Sequence, residues 1–350
     1  MRIVVAVALA ASVVGCAKPD VVAAPTLIAD STISLGTEFE LGDLTAAPDG
    51  SYWLLDTRNQ VAAQIDPVGR ERRRLGRGGE GPGEFRTPTL IGLTANGDVV
   101  ISDIALRRLT VFSGDSANHA PRLYATPPLV TSLMLGPDSG TVTLGSGGFP
   151  PRGPSLVTIK LSSGAALDTA WIWEAAPAMV GASGEPNRSY ATSMLRSGAI
   201  VVIDVQSPTF AVLEASRATT TWTIPANNPP LVWSEADARE RGKQVNRGPP
   251  RTIKGVNVDP AGAVAFLVGR PKAQIAGARE VTVGGDDHLW CVRFDKAGFL
   301  LKRYDRQGIE KGSMRLAAEP TLLRPTADGI VIVREDEAGR VLVTRVRGPR

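Results

Sequence analysis

The chain has 350 residues, 43% hydrophobic and 21% charged, and this composition excludes a disordered chain and a coiled coil. The formal net charge of +4 is too small and too evenly spread to indicate a nucleic-acid partner. Two cysteines and two histidines exclude a cysteine-rich zinc module and a disulfide scaffold, and they leave little for a histidine-based active site.

The first 15 residues have the pattern of a secretory signal peptide. Residues 3–14 form a run that is apolar except for Ser12, and it is shorter than the roughly 20 residues that a membrane-spanning helix needs. The run ends in Gly15-Cys16, which resembles the lipobox of bacterial lipoproteins, whose cysteine carries the lipid. We therefore expect a lipoprotein signal peptide at 1–15, a lipidated Cys16, and a tether through residue 25. The alternative is an ordinary secretory signal followed by a chance cysteine.

A strand–turn–strand pattern then recurs six times along the chain. Each copy has an apolar strand, a tight turn that ends in glycine, and a second strand rich in β-branched residues. The copies lie at 44–56, 90–103, 133–145, 193–204, 256–268 and 322–333, with turn glycines Gly50, Gly97, Gly140, Gly198, Gly262 and Gly329. Most copies continue into a third and a fourth strand, and in the fifth copy we expect these to be HLWCVRF and LLKRYD.

The sixth copy is one strand short, and residues 26–36 read as the missing strand. The sequence thus predicts an all-β fold, a six-bladed β-propeller of four-stranded antiparallel blades, closed by this N-terminal strand. Residues 26–350 would form this single domain, and we expect a monomer. One short surface helix is expected at 234–246, and Cys291, which lies among apolar residues, is expected to be a buried structural thiol.

The segment GRGGEGPGEFRTP at 76–88 carries a family resemblance. With the strands that follow it, this segment resembles the NHL-type repeat and, more closely, the NHL-like six-bladed β-propeller lipoproteins of Gram-negative bacteria. The resemblance is close over 41–113 and loose elsewhere. It implies the propeller fold and a location in the cell envelope or periplasm. It implies no single activity, because propellers serve many functions. Ala17, which follows the cysteine in place of aspartate, favours the outer membrane by the sorting rules of enteric-type bacteria.

The long connections are expected on one face of the propeller. They lie between repeats or between second and third strands, and in a four-stranded meander these two kinds of connection leave the same face. We therefore place candidate ligand contacts in the segments 76–87, 146–155, 174–188, 226–252 and 269–287. The candidate residues are Arg77, Glu80, Arg152, Trp233, Arg247 and Arg270, because tryptophan and arginine often dominate interfaces. The alternative is that these connections lengthened without any function.

Four second strands end in a carboxylate, at Asp56, Asp103, Asp204 and Glu335. A ring of acids could hold a hard cation such as calcium. The alternative is local, because an aspartate at a strand end accepts hydrogen bonds from the backbone of its own turn.

These features favour a non-catalytic role and no cofactor. We expect a lipid-anchored module that binds a protein, peptide or glycan in the bacterial cell envelope. The alternative is a calcium-dependent hydrolase or lactonase with its site at the mouth of the central channel.

Overall fold

The fold is a six-bladed β-propeller in a computed structural model of the chain. The structure describes residues 25–349 except 37–38, 115–119, 139, 147–154, 172–189, 205–208, 215–216, 224–280 and 296. The described part contains no helix. Several predictions lie outside the described residues: the signal peptide, Cys16 and most of the tether, the helix at 234–246, and the hairpin at 256–268.

The strands follow one another from the centre of the propeller to its rim. Strand β1 (Ile28–Ser34) precedes the first blade. Blade one contains β2 (Leu41–Ala46), β3 (Tyr52–Asp56), β4 (Val61–Ile65) and β5 (Glu71–Leu75). A short parallel pair, β6 (Arg77–Gly78) and β7 (Glu84–Phe85), leads to blade two, which contains β8 (Pro88–Leu93), β9 (Val99–Asp103), β10 (Arg108–Phe112) and β11 (Arg122–Ala125).

The remaining blades repeat this meander. Blade three contains β12 (Val130–Leu135), β13 (Thr141–Ser146), β14 (Ser155–Lys160) and β15 (Ala166–Trp171). Blade four contains β16 (Tyr190–Met194), β17 (Ile200–Asp204), β18 (Thr209–Glu214) and β19 (Arg217–Thr223). Blade five contains β20 (Val281–Val283), β21 (Leu289–Asp295), β22 (Gly298–Tyr304) and β23 (Glu310–Arg315). Blade six contains β24 (Leu322–Thr326), β25 (Gly329–Glu335) and β26 (Val341–Arg347).

The N-terminal strand closes the ring, as the sequence predicts. Strand β1 pairs antiparallel with β26 and becomes the outermost strand of blade six. Leu27 and Leu35, which flank β1, are both buried, and Leu35 packs with Val341 and Val343 of the same blade. The first and last strands of the propeller therefore share one sheet, and β1 pairs with the edge of β26 that would otherwise be open where the ring closes.

The fifth blade uses different strands from those predicted. HLWCVRF lies in the second strand and LLKRYD in the third, while Val281–Val283 forms the first strand and Glu310–Arg315 the fourth. The four described strands of this blade therefore all lie after the predicted hairpin at 256–268. Residues 281–287, expected in a long loop, form the inner strand and most of its short turn.

The prediction misplaces blade five because of the residue at the turn between its first and second strands. Gly50, Gly97 and Gly198 take φ angles of 82°, 84° and 86°, as the hairpin turns require. Each donates its N–H to the carbonyl three residues earlier, and in blade five Asp287 makes this same bond to Gly284. Asp287 has a φ of 58°, and aspartate is one of the few other residues that tolerate this region. A search for turns that end in glycine misses such a turn.

The strand order defines two faces of the propeller. Connections from second to third strands and from blade to blade leave what we call the loop face. Connections from first to second and from third to fourth strands leave the opposite side, the turn face. The strand bounds place the ends of the long connections 76–87, 147–154, 172–189 and 224–280 on the loop face, as expected. The six first turns, on the turn face, are all short.

Candidate functional site: the central channel and its loop-face mouth

The innermost strands of all six blades surround a central cavity of about 840 Å³. This volume falls within the range of about 300–1,000 Å³ that is common for small-molecule sites. Glu40, Thr57 and Thr87 also line the cavity, and all three belong to connections on the loop face. The cavity therefore reaches the face from which the long connections leave.

A buried ion pair joins the first and last blades in the channel wall. Arg324 of β24 donates from Nη2 to Oδ1 of Asp43 in β2 at 2.7 Å. Asp43 is only 2% exposed, and its Oδ2 accepts a hydrogen bond from the N–H of Ile91 in blade two at 3.0 Å. This one carboxylate thus connects blades six, one and two.

The sequence analysis missed this pair. Asp43 lies in an ordinary apolar–polar strand, and Arg324 is 281 residues away in sequence. No motif spacing links them. The one indication in the sequence is that an aspartate, Asp43, lies immediately before the first predicted inner strand.

The inner strands of the first three blades each contain a β-bulge at the loop-face end. The strand registers shift between Leu41 and Asp43, between Pro88 and Leu90, and between Val130 and Ser132. The extra residues are Gly42, Thr89 and Thr131, and all three line the cavity. A bulge redirects side chains and is common beside binding sites. Half of the channel mouth therefore departs from regular strand geometry.

Asp56 and Asp103, two of the acids at the ends of second strands, accept hydrogen bonds from backbone N–H groups. Asp56 accepts N–H bonds from Arg58 and Asn59 of its own turn, at 3.1 and 3.2 Å, and from Glu40 at 3.3 Å. Asp103 accepts from Leu106 of its own turn at 2.9 Å, and from Arg86 and Thr87. Both side chains are buried. Each carboxylate fastens its turn to the segment that leads into the inner strand, which agrees with the local alternative.

The other two candidate acids differ from each other. Asp204 is buried at the same position of blade four, whereas Glu335 is exposed. Among the residues that the structure describes, no three histidine, cysteine, aspartate or glutamate side chains gather as metal ligands would. The proposed calcium site therefore draws no support from Asp56 and Asp103.

The glycine-rich segment forms a brace between blades one and two. The Glu84 carboxylate accepts the N–H of Gly81 at 2.7 Å and pairs with Arg77. The Gly81 N–H, and after it Arg77, hold the pKa of Glu84 below its ordinary value. Arg108 donates to the carbonyl oxygens of Gly81 and Glu84 at 2.7 and 2.6 Å. The segment is thus tied to blade two through its own backbone.

The burial of Phe85 explains why an aromatic residue follows the glycine-rich run of this segment. Its ring is fully buried between the two blades, against residues that include Trp53, Ile91 and Phe112. The motif that carries the family resemblance therefore has a packing role in this chain.

Two of the six candidate contact residues lie within this brace. Arg77, whose side chain is 80% exposed, pairs with Glu84, and Glu80 pairs with Arg86 at 2.9 Å. Both remain accessible on the loop face. The other four candidates, Arg152, Trp233, Arg247 and Arg270, lie outside the described residues.

Cys291 lies in the interface between blades four and five, where it is fully buried. Burial raises the pKa of its thiol to about 12, so that almost none of it is thiolate near neutral pH. In a Cys16→Ser variant, where Cys291 is the one remaining cysteine, a thiol reagent at pH 8 should label nothing until denaturant is added. Labelling of the native protein at the rate of a free cysteine would contradict the buried, structural role.

Among the described residues, none form a helix long and apolar enough to cross a bilayer. No protein-family model matches the sequence, and no curated protein matches it either. Solved structures do resemble the fold. A structure named "Putative exported protein" from Bacteroides fragilis has a TM-score of 0.55 and 12% identity, over 95% of this chain and 98% of that one. At that identity the likeness shows the fold alone.

Two further structures resemble the chain less well. Virginiamycin B lyase from Staphylococcus aureus has a TM-score of 0.48 and 11% identity, over 90% of this chain and 98% of that one. Hydrazine synthase from Kuenenia stuttgartiensis has a TM-score of 0.49 and 9% identity, over 84% of this chain and 76% of that one. At TM-scores below 0.5, these two likenesses support no conclusion about this chain.

Proposed function

We propose that this chain is a lipid-anchored binding protein of the bacterial cell envelope, and that its loop face contacts a protein, peptide or glycan. One observation carries the proposal: the long connections leave the same face on which the polar mouth of the central cavity opens. Loops held by a rigid scaffold are the usual carriers of binding function. The family resemblance at 76–88 and the Gly15-Cys16 pattern support the envelope location and the anchor.

The position of β1 agrees with an anchored protein that displays its loop face. Ile28, the first residue of β1, pairs with Arg347, and Arg347 in turn pairs with Gly329 beside a short turn. The strand thus begins on the turn face and ends on the loop face. A lipid at Cys16 would be joined to the propeller from the turn-face side, which leaves the loop face available to a partner. Ala17 favours the outer membrane as the site of anchoring.

The test combines acyl labelling with crosslinking in intact cells. The full chain should incorporate a fatty-acid label, and the Cys16→Ser variant should lose it. A photoreactive amino acid placed at Glu80 or Pro82, exposed on the loop face, should then crosslink a partner. Matched positions on the turn face, Val68 and Pro137, should not; Val68 is 73% exposed, so access alone cannot explain a difference.

Two results would contradict the proposal. Retained acyl labelling in the Cys16→Ser variant would show that Cys16 is not the site of lipid attachment. Crosslinks that form from Val68 and Pro137 but not from Glu80 or Pro82 would reverse the assignment of the binding face.

A further inference from the structure

Four threonines line the loop-face mouth of the channel on blades one, two and three. Thr57 belongs to blade one, Thr87 and Thr89 to the start of blade two, and Thr131 to blade three, and all four line the cavity. Thr89 and Thr131 are the bulged residues of their strands. We call these four residues the threonine arc. The arc makes the mouth polar without any charge of its own.

The hydrogen bonds of the arc determine what it offers to a ligand. The hydroxyl of Thr57 donates to the Glu40 carbonyl at 3.1 Å, and that of Thr131 to the Gly145 carbonyl at 3.3 Å. The Thr89 hydroxyl donates to the Ser102 carbonyl at 3.4 Å. A hydroxyl has one proton and two lone pairs, so these three oxygens keep the capacity to accept. With these bonds made, a ligand that donates hydrogen bonds complements the arc.

The charges that the described residues place around the cavity favour a neutral ligand over a strongly ionic one. In the part of the chain that the structure describes, three ionisable residues line it: Asp43 and Arg324, which neutralise each other, and Glu40, whose Oε2 lies 3.8 Å from Nε of Arg58. An ionised carboxylate or sulfate group has acceptors only and would meet the acceptors of the arc. A cation would find, among the described lining residues, no carboxylate without a cationic neighbour. The chemistry that remains is a neutral ligand with several O–H or N–H donors.

From this we infer that the loop-face mouth of the channel is a binding site for a neutral, hydroxyl-rich ligand, namely a short saccharide. The inference rests on the proposed function and narrows its ligand to the glycan class. Sugar hydroxyls donate and accept at once, so they can pair with the threonine oxygens and with the open backbone edges of the inner strands. The cavity volume of about 840 Å³ is ample for such a ligand.

The experiment is a glycan array probed with the full-length, detergent-solubilised protein, carrying neutral, acidic and amino-sugar glycans side by side with a set of peptides. Binding should concentrate on neutral glycans. The affinity for the best neutral glycan is then measured by calorimetry for two variants, Thr89→Val and Thr131→Val, which keep the side-chain shape and remove the hydroxyl. Each should weaken binding by roughly three- to tenfold, the typical effect of one lost hydrogen bond. The melting temperature should fall by no more than about 4 °C, because each hydroxyl also donates to one backbone carbonyl.

A control and a blocking variant complete the design. Thr220→Val, at an exposed position on the outermost strand of blade four, should leave the affinity unchanged. Thr131→Trp places a large ring at an exposed position of the mouth and should abolish binding without unfolding the protein.

Several outcomes would overturn the inference. These are binding of no neutral glycan, a preference for acidic glycans, amino sugars or peptides, and an affinity that the Thr131→Trp variant leaves intact. If loop-face crosslinks from Glu80 or Pro82 persist in that case, the saccharide site fails while the proposed function stands. If the crosslinks also move to the turn face, both fail.

Discussion

Replacing Arg324 with methionine should lower the free energy of unfolding by about 3–5 kcal/mol, which is the typical cost of removing one partner from a buried ion pair. The Asp43 carboxylate would then remain almost fully buried without its cationic partner. Urea unfolding followed by tryptophan fluorescence measures this difference. A loss of this size is a large fraction of the total, because typical domains have a free energy of unfolding of only about 5–15 kcal/mol.

An exposed ion pair provides the matched control. Arg340 pairs with Asp336 at 2.7 Å, and the Arg340 side chain is 55% exposed. Arg340→Met should therefore cost less than about 1 kcal/mol. A double variant, Asp43→Leu with Arg324→Met, should recover part of the loss, because it removes the buried charge but leaves the Ile91 N–H without its acceptor. Equal losses for Arg324→Met and Arg340→Met would show that the channel pair contributes nothing special.

Deletion of residues 26–36 should destabilise the propeller by about 3–6 kcal/mol or more. The estimate counts only the burial of Leu27 and Leu35, at about 1.5–3 kcal/mol for each large apolar side chain. The deletion also removes the hydrogen bonds between β1 and β26 and the ion pair between Arg347 and Asp30. It leaves β26 as an open edge, so we expect aggregation as well as a lower melting temperature.

Deletion of residues 17–24 serves as the control for chain length, because that segment precedes the closing strand. The variant without residues 17–24 should melt at the temperature of the parent protein. The measurement is thermal unfolding followed by circular dichroism, with light scattering to detect association. A variant without 26–36 that melts at the parent temperature would contradict closure of the ring by β1.

Most of the architecture could be predicted because each blade is built from local signals. The alternation of apolar residues and the turns at Gly50, Gly97 and Gly198 each depend on residues that are close in sequence. Blade five shows the limit of this approach. Its turn has Asp287 at the position that Gly50, Gly97 and Gly198 occupy in blades one, two and four, and its first strand is only three residues long. A search that depends on a single turn residue therefore placed this blade too early in the chain.

The candidate site was predicted less well, and the reason is distance in sequence. The loop face could be inferred from where the long connections lie, because strand order alone decides which face a connection leaves. The acids at Asp56 and Asp103 could be located, but the sequence could not say whether their oxygens meet a metal or the backbone. The structure shows backbone N–H groups at both carboxylates.

The sequence by itself determined the fold class, the number of blades and the closing strand of this protein, because repeats and strand periodicity depend on near neighbours. Only the tertiary structure decided what lines the channel. Asp43 meets Arg324 across 281 residues, and the threonine arc gathers residues from three blades. Such contacts follow from closing the ring, which brings six inner strands around one axis. No local pattern encodes which side chains will then face one another.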